Sequence, residues 1–292
     1  MSAPSALLAP LLTWYDEHAR DLPWREPSAS PWAVMVSEFM LQQTPVARVE
    51  PIWTDWLQRW PRPSELADAP RADVLRAWGR LGYPCRALRL HEAAQAIVDR
   101  HGDVVPCDVD ALEALPGVGS YTARAVAAFG YGRRCPVVDT NVRRVVARAV
   151  HGTGDAGPAR LKADLADVDA LLPPDDTEAA LVSVALMELG AVVCTARTPR
   201  CEVCPARSVC AWVAAGRPEY AGPRRAVQTF VGTDRQVRGR LMEVLRGSPE
   251  PVARAALDAA WADAAQRDRC LDSLLLDGLA EQLDDGRFAL PA

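Results

Sequence analysis

The sequence predicts a mainly α-helical fold with a small C-terminal module. Apolar residues recur at the three- and four-residue spacing of amphipathic helices, and no stretch shows the sustained alternation of a half-buried strand. A change to Pro, Gly and Arg over residues 217–225 indicates a linker. With 292 residues, of which 49% are hydrophobic and 24% charged, the chain is long enough for two domains.

Several helical segments separated by Pro and Gly are predicted in residues 1–220. The helical spacing is found at Val34, Phe39 and Leu41, at Leu75 and Trp78, at Leu88, Leu90 and Ile97, and between Leu181 and Leu189. A Gly82–Pro84 break interrupts the pattern, and Gly190 ends its last segment just before a group of cysteines.

Beyond the linker, residues 221–292 form the predicted C-terminal module. Three apolar clusters, around Leu241, Leu257 and Leu271, predict three short helices. The turn sequence at residues 284–286, Asp-Asp-Gly, lies between two short segments and predicts a β-hairpin. Three helices followed by a hairpin resemble a winged-helix module.

Charge and hydropathy indicate which partners and which location are expected for the protein. The formal net charge of −5 argues only weakly against a nucleic-acid partner, because binding depends on a basic face rather than on the total. The apolar stretch of residues 6–12 has no basic residue before it and is followed by Asp16 and Glu17, so a secretory signal is not expected. No run approaches the length of a membrane span, which favours a cytoplasmic protein without a membrane partner.

Cysteines close together in the sequence predict a metal centre. Cys194, Cys201, Cys204 and Cys210 have the spacing C-x6-C-x2-C-x5-C. Four thiolates this close suit a [4Fe–4S] cluster. A structural zinc site usually has two short C-x2-4-C pairs, and only one is present here, while disulfides are not expected in a reducing compartment. The cluster is therefore favoured over zinc or disulfides, although it does not by itself identify a reaction.

A glycine-containing turn predicts a site for phosphate. Leu115-Pro116-Gly117-Val118-Gly119 lies between two apolar helical segments. Pro116 ends the first helix, and the glycines permit a tight reversal without side chains that would block close approach. The free N–H groups at the start of the next helix can bind a phosphate. The turn is thus typical of a helix-hairpin-helix motif, although an ordinary helix turn remains open from these residues alone.

Several motifs in one order resemble a known family, the helix-hairpin-helix DNA glycosylases of the endonuclease III and MutY types. The segments LPGVGSYTA and VVDTNVRRV, followed by the cysteine group, resemble the pattern of the family as a whole. Four further segments are similar to MutY-type adenine glycosylases: LPWR at residues 22–25, SEFMLQQT at 37–44, LGY at 81–83 and ALMELGAVVC at 185–194. The resemblance covers about residues 10–212.

The family resemblance implies a fold, a partner and a place of action. It implies a glycosylase domain over residues 1–220, made of two helical subdomains. Residues 28–134 would form a helical barrel with the hairpin, whereas residues 1–27 and 135–220 would form the subdomain that carries the iron–sulfur cluster. It also implies a monomeric bacterial protein, associated with the nucleoid, that acts on double-stranded DNA containing a mismatch.

The residue after the hairpin separates two reaction classes. Endonuclease III-type enzymes carry a lysine there, which attacks the sugar and forms a Schiff base, whereas this chain has Tyr121. A phenol cannot form an imine, and Lys162, the only lysine, lies outside every motif. A monofunctional glycosylase is therefore expected.

Two carboxylates suit the hydrolysis of a glycosidic bond through an oxocarbenium-like state. Glu38 lies in an apolar helical segment, where desolvation is expected to raise its pKa and retain a proton. The resemblance implies that Glu38 protonates adenine at N7 and that Asp139 faces the sugar, stabilises the cation and supports attack by water. Asp139 could also cap the helix that starts near Asn141.

The resemblance assigns supporting roles to further residues. Tyr121 and Asn141 would order the water and the carboxylates. The other residues would contact the substrate or DNA: Trp24, Arg25 and Glu188 around the adenine, Gln43 and Tyr83 as intercalating residues with Leu41, Thr44 and Leu81 beside them, Gly117, Val118 and Gly119 at the hairpin, and Arg197 and Arg200 in the cysteine loop. For Glu188, a structural ion pair is the alternative.

The chain departs from the family pattern at its C-terminal end. Many relatives carry a Nudix-like domain that recognises 8-oxoguanine, for which residues 221–292 are too short. That recognition would then involve Gln43, Thr44 and Leu81, or the segment Thr229–Arg240, which carries three arginines. Two alternatives remain: a glycosylase for another mismatched or damaged base, and a non-catalytic iron–sulfur DNA-binding protein.

Overall fold

A computed structural model describes residues 3–223 and 230–292, and its described part is mainly helical. The prediction of a mainly α fold is confirmed. The helices are α1 (Ala3–His18), α2 (Pro31–Leu41), α3 (Val46–Arg59), α4 (Pro63–Ala67), α5 (Arg71–Trp78), α6 (Cys85–His101), α7 (Val109–Glu113), α8 (Ser120–Ala125), α9 (Thr140–Ala149), α10 (Leu161–Asp169), α11 (Asp176–Val192), α12 (Ala211–Ala214), α13 (Asp234–Gly247), α14 (Arg254–Asp258) and α15 (Ala264–Leu276). The strands are β1 (Glu281–Gln282) and β2 (Phe288–Ala289).

Short-range signals set several of these helix ends. Asp139, Asp175 and Asp263 are the N-caps of α9, α11 and α15, and each side chain accepts a hydrogen bond from a backbone N–H of the first turn. Helix α6 ends at His101 and is followed by Gly102, whose φ of 60° lies in the left-handed region that glycine adopts without strain.

The described chain divides into two compact units. Unit 1 comprises residues 3–35, 107–114 and 118–223, and unit 2 comprises residues 36–106, 115–117 and 230–292. In unit 1, helices α1 and α9 both pack on α11 around a core of aliphatic side chains that includes Leu11, Val142 and Leu186. Burial of such side chains is the main force that holds the helices together.

Unit 2 combines helices α3–α6 with the C-terminal helices and hairpin. Trp56 makes edge-to-face contacts with Trp60 and Trp78, at centroid distances of 4.7 and 5.7 Å. Helix α13 packs on α5 and on α15. The strands pair antiparallel, with Glu281 opposite Ala289 and Gln282 opposite Phe288. The C-terminal segment thus has the three helices and the hairpin that its sequence predicts.

The domain boundaries predicted from sequence, 1–220 and 221–292, stay a prediction. Thr229, the first residue of the segment considered for 8-oxoguanine recognition, lies outside the described residues. In the described ranges, no helix is both long enough and apolar enough to cross a bilayer.

Candidate active site

Asp139 is the N-cap of α9 in unit 1, and its carboxylate binds the first N–H groups of the helix. The carboxylate accepts hydrogen bonds from the backbone N–H groups of Asn141 at 2.8 Å and Val142 at 2.7 Å, and from the side-chain amide of Asn141 at 2.7 Å. Burial raises the pKa of Asp139, and these hydrogen bonds, with nearby Arg144, partly oppose that effect. Asp139 is therefore an N-cap whose carboxylate is fixed in one orientation, which is compatible with a chemical role.

Asn141 and Arg144 connect Asp139 to the cysteine segment. Arg144 donates a hydrogen bond to the side-chain oxygen of Asn141 at 2.7 Å, and it donates to the carbonyl oxygens of Gly190 and Cys194, each at 2.7 Å. A Cβ at position 190 would lie 2.7 Å from the Cβ of Asn141, so the close approach of α11 to α9 requires glycine there. Sequence analysis assigned no role to Arg144.

The cysteine group lines one cavity of unit 1. Cys194, Cys201, Cys204 and Cys210 all face this cavity. Arg148 donates a hydrogen bond to the sulfur of Cys194 at 3.4 Å and to the carbonyl of Thr195 at 2.7 Å.

Burial of these sulfurs affects their ionisation. Burial raises the pKa of Cys194, an effect that Arg148 opposes, and it raises the pKa of Cys204 to about 11. Four cysteine sulfur donors around one cavity suit a soft metal centre, which binds them as thiolates.

Glu188 lies on α11, fully buried, between two arginines. Arg20 donates two side-chain hydrogen bonds to it, at 2.6 and 2.7 Å, and Arg25 donates one at 2.8 Å. Burial alone would raise the pKa of Glu188, but these hydrogen bonds lower it to about 2. The ion-pair interpretation of Glu188 thus agrees with its contacts, and the pair also fixes Arg25, next to the buried Trp24.

We expect Glu188→Gln to destabilise the protein by about 3 kcal/mol, because it leaves Arg20 and Arg25 without their buried anion. Since the folded-state pKa is lowered to about 2 from 4.5, this stabilisation is present above pH 4.5 and is lost as the pH falls towards 2. Urea unfolding at several pH values measures the effect. The matched control is Glu178→Gln on the exposed start of α11, which we expect to cost under about 1 kcal/mol. Equal losses for the two variants would contradict the prediction.

Residues of the predicted hairpin are distributed over both units. Gly117, in unit 2, has a φ of 75°, and a Cβ there would lie 2.6 Å from the Cβ of Arg89. Glycine is therefore required at this turn. In unit 1, Gly119 is the N-cap of α8, Val118 is buried, and the hydroxyl of Tyr121 lies 3.9 Å from the sulfur of Met187.

Glu38 lies on α2, in the part of the helix that belongs to unit 2. Glu38 is buried, with 5% of its surface exposed. Its neighbours Val36, Phe39 and Met40 are buried as well, so the apolar environment expected from the sequence is present. Leu41 ends the helix.

The two predicted intercalating residues share an uncommon backbone conformation. Gln43 has a φ of 56° and Tyr83 a φ of 47°, both in the left-handed region that most side chains avoid. Gln43 is exposed and Tyr83 is 39% exposed, whereas their neighbours Thr44 and Leu81 are buried. The hydroxyl of Thr44 donates to the carbonyl of Leu81 at 3.1 Å, which joins the two loops.

Arg86 fixes both loops, and sequence analysis did not identify it. Its guanidinium donates to the carbonyl of Phe39 at 2.7 Å, to the hydroxyl of Thr44 at 3.0 Å and to the carbonyl of Gly82 at 3.1 Å. Burial lowers the pKa of Arg86 to about 10. No sequence signal distinguishes Arg86 from the many other arginines, because its partners lie far away in the chain.

Arg197 and Arg200 are exposed in the cysteine loop, as a role in contacting DNA requires. Arg200 donates to the carbonyl of Val192 at 2.6 Å. Within unit 1 the structure joins Asp139 and Asn141 in one network, and Arg25 and Glu188 in another. Within unit 2, Thr44 bonds directly to Leu81, and Arg86 links Thr44 to the carbonyl of Gly82.

Comparisons with known proteins give one consistent family. Residues 36–168 match the model described as HhH-GPD superfamily base excision DNA repair protein. The chain is 64% identical over 282 residues to the adenine DNA glycosylase of Mycobacterium tuberculosis, covering 96% of this chain and 92% of that protein. It is 40% identical over 219 residues to the adenine DNA glycosylase of Homo sapiens, covering 70% of this chain and 39% of that protein. A solved thermostable thymine-DNA glycosylase is 25% identical, with a TM-score of 0.66, over 73% of this chain and 97% of that one.

Proposed function

This chain belongs to the adenine DNA glycosylases of the HhH-GPD superfamily, and from that membership we propose that it removes adenine mispaired with 8-oxoguanine or guanine in duplex DNA. Such an enzyme is a hydrolase of N-glycosyl bonds. The observation that carries the proposed chemistry is the environment of two carboxylates. Glu38 is 5% exposed, and Asp139 is fixed by three hydrogen bonds of 2.7–2.8 Å.

The two carboxylates have different tasks in the proposed reaction. Glu38 protonates adenine at N7, which makes the base a better leaving group. Asp139 stabilises the positive charge that develops on the sugar and supports the attacking water. Asn141 holds the Asp139 carboxylate, and Tyr121 helps to order the water.

The proposed enzyme does not cleave the strand through a lysine. Tyr121 stands where lyases carry the nucleophile, and Lys162, the only lysine of the chain, is exposed on α10. An imine requires an amine, so the reaction stops at the abasic site.

The adenine must leave the base stack before it can be attacked. Gln43 and Tyr83 fill the space that remains and wedge the duplex, a task for which exposed side chains on loops fixed by Arg86 are suited. The DNA backbone is bound by the hairpin residues Gly117, Val118 and Gly119. The adenine pocket is formed by Trp24, Arg25 and Glu188. Arg197 and Arg200 contact phosphates.

Cys194, Cys201, Cys204 and Cys210 would hold a [4Fe–4S] cluster. A cluster of this type is held by four cysteine thiolates, and these four cysteines line one cavity. The cluster would position the arginines of the cysteine loop. We expect about four irons and four sulfides per chain; a stoichiometric zinc content would contradict this.

A panel of duplexes tests the proposed function. The protein is incubated with DNA carrying A opposite 8-oxoguanine, A opposite G, T opposite G, or an oxidised pyrimidine, and each sample is analysed with and without hot alkali. We expect strand breaks only after alkali, and only at adenine. Cleavage at T opposite G would favour the alternative suggested by the similarity to a thymine-DNA glycosylase, and no cleavage of any duplex would favour a non-catalytic DNA-binding protein.

A further inference from the structure

The C-terminal part of unit 2 places an arginine against Tyr83. The guanidinium carbon of Arg235, on α13, lies 4.3 Å from the ring centroid of Tyr83 and 5.7 Å from that of Phe230. A Cβ at Gly82 would lie 3.9 Å from a terminal nitrogen of Arg235, so the guanidinium also adjoins the loop backbone. Residues more than 140 positions apart thus form one stacked group, which we call the Tyr83 stack: Tyr83, Phe230 and Arg235.

Among residues 3–223 and 230–292, no carboxylate forms an ion pair with Arg235. Two other arginines of α13 differ: Arg238 pairs with Asp277, and Arg240 pairs with Glu243 at 3.2 Å. Arg86 lies 5.7 Å from the Tyr83 ring as well, and the charge of Arg235 contributes to its lowered pKa. Two guanidinium groups therefore concentrate positive charge at one exposed ring, which favours an anion.

Exposure makes the Tyr83 stack accessible to a large partner. Tyr83 is 39% exposed, Phe230 is 53% exposed, and Arg235 is exposed. Exposed aromatic rings beside arginines are typical of surfaces that contact nucleic acid, where rings stack on bases and arginines bind phosphates. The planar guanidinium is preorganised by its contact with the ring, so little side-chain entropy is lost when its outer edge binds a phosphate.

We propose that Arg235 binds a backbone phosphate of DNA next to the base step that Tyr83 wedges. The C-terminal module would then supply part of the DNA contact. This inference rests on the proposed function, because that function makes DNA the partner and Tyr83 the wedge. A phosphate contact carries no base information, so Arg235 would strengthen binding opposite 8-oxoguanine and opposite guanine to the same degree.

Titration of binding against salt tests this proposal. The full-length protein is bound to duplexes that carry uncleavable 2′-fluoro-2′-deoxyadenosine opposite 8-oxoguanine or guanine, at several KCl concentrations. We expect Arg235→Gln to weaken binding about tenfold on both duplexes and to reduce the slope of log K against log[KCl] by about one. Arg254→Gln is the matched control, since it removes one charge from the same C-terminal module at a residue that pairs with Asp258 at 2.8 Å, and its slope should not change. Arg235→Lys retains the charge and should retain the slope.

Two results would overturn the proposal: equal slopes for Arg235→Gln and Arg254→Gln, or a loss of binding confined to the duplex with 8-oxoguanine. Adenine excision by the unmodified protein is measured in parallel. If the unmodified protein excises adenine and Arg235→Gln leaves the slope unchanged, the inference about Arg235 is wrong and the proposed function is right. If Arg235→Gln reduces the slope but the unmodified protein excises no adenine, the inference about Arg235 is right and the proposed function is wrong.

Discussion

Replacing Asp139 by asparagine should reduce adenine excision at least a hundredfold and leave DNA binding intact. Asparagine is also a good N-cap, so α9 keeps its start, but the negative charge that would stabilise the sugar cation is lost. Single-turnover rates on a duplex with A opposite 8-oxoguanine measure the change, and the dissociation constant for the uncleavable duplex measures binding. Burial raises the pKa of Asp139, so the unmodified enzyme should lose activity on acidification as this carboxylate takes up a proton.

Asp175→Asn is the control for this substitution. Asp175 caps α11 in the same unit, and its carboxylate accepts a hydrogen bond from the backbone N–H of Glu178 at 2.9 Å. Both substitutions therefore change an N-cap in the same way, but only Asp139 has a proposed part in the reaction. Comparable excision rates for the Asp139 and Asp175 variants would show that Asp139 is only a cap.

Glu38→Gln should lower adenine excision by about 10²- to 10⁴-fold, the usual contribution of a general acid. Glutamine has nearly the same shape and suits the same buried position, but it cannot deliver a proton to the leaving base. The excision rate under single-turnover conditions gives the effect, and thermal unfolding verifies that the variant is folded. Glu50→Gln, at an exposed position of α3, is the control and should retain the rate of the unmodified enzyme.

A modified substrate tests the same proposed role of Glu38 as the acid. In 7-deazaadenine a carbon replaces N7, so the proposed proton acceptor is absent. We expect the unmodified enzyme to bind such a duplex without releasing the base. Full activity of Glu38→Gln on adenine, or rapid release of 7-deazaadenine by the unmodified enzyme, would contradict the assignment of Glu38 as the acid.

Local sequence patterns were sufficient for much of the fold. Apolar spacing predicted the helices, and Asp284-Asp285-Gly286 predicted the hairpin that joins β1 to β2. The start of α9 also follows from a local rule, because Asp is a favoured N-cap. Four cysteines within seventeen residues could be predicted to meet at one cavity, since so short a segment cannot separate them widely.

The networks that hold the candidate site could not be predicted in this way. Arg86 joins two loops, Arg144 joins Asn141 to Gly190, Arg20 binds Glu188, and Arg235 stacks on Tyr83. Each contact links residues that are distant in the chain or depends on how helices pack. The sequence contains 33 lysine and arginine residues, and nothing local distinguishes these arginines from the others.

The central claim is that this chain hydrolyses the bond to adenine without forming a covalent intermediate through an amine. The most direct measurement combines recovery of the free base with borohydride reduction, on a duplex with A opposite 8-oxoguanine. We expect one free adenine for each abasic site formed and no protein–DNA adduct after reduction. A reduced covalent adduct, or an intact duplex from which no adenine is released, would contradict the claim.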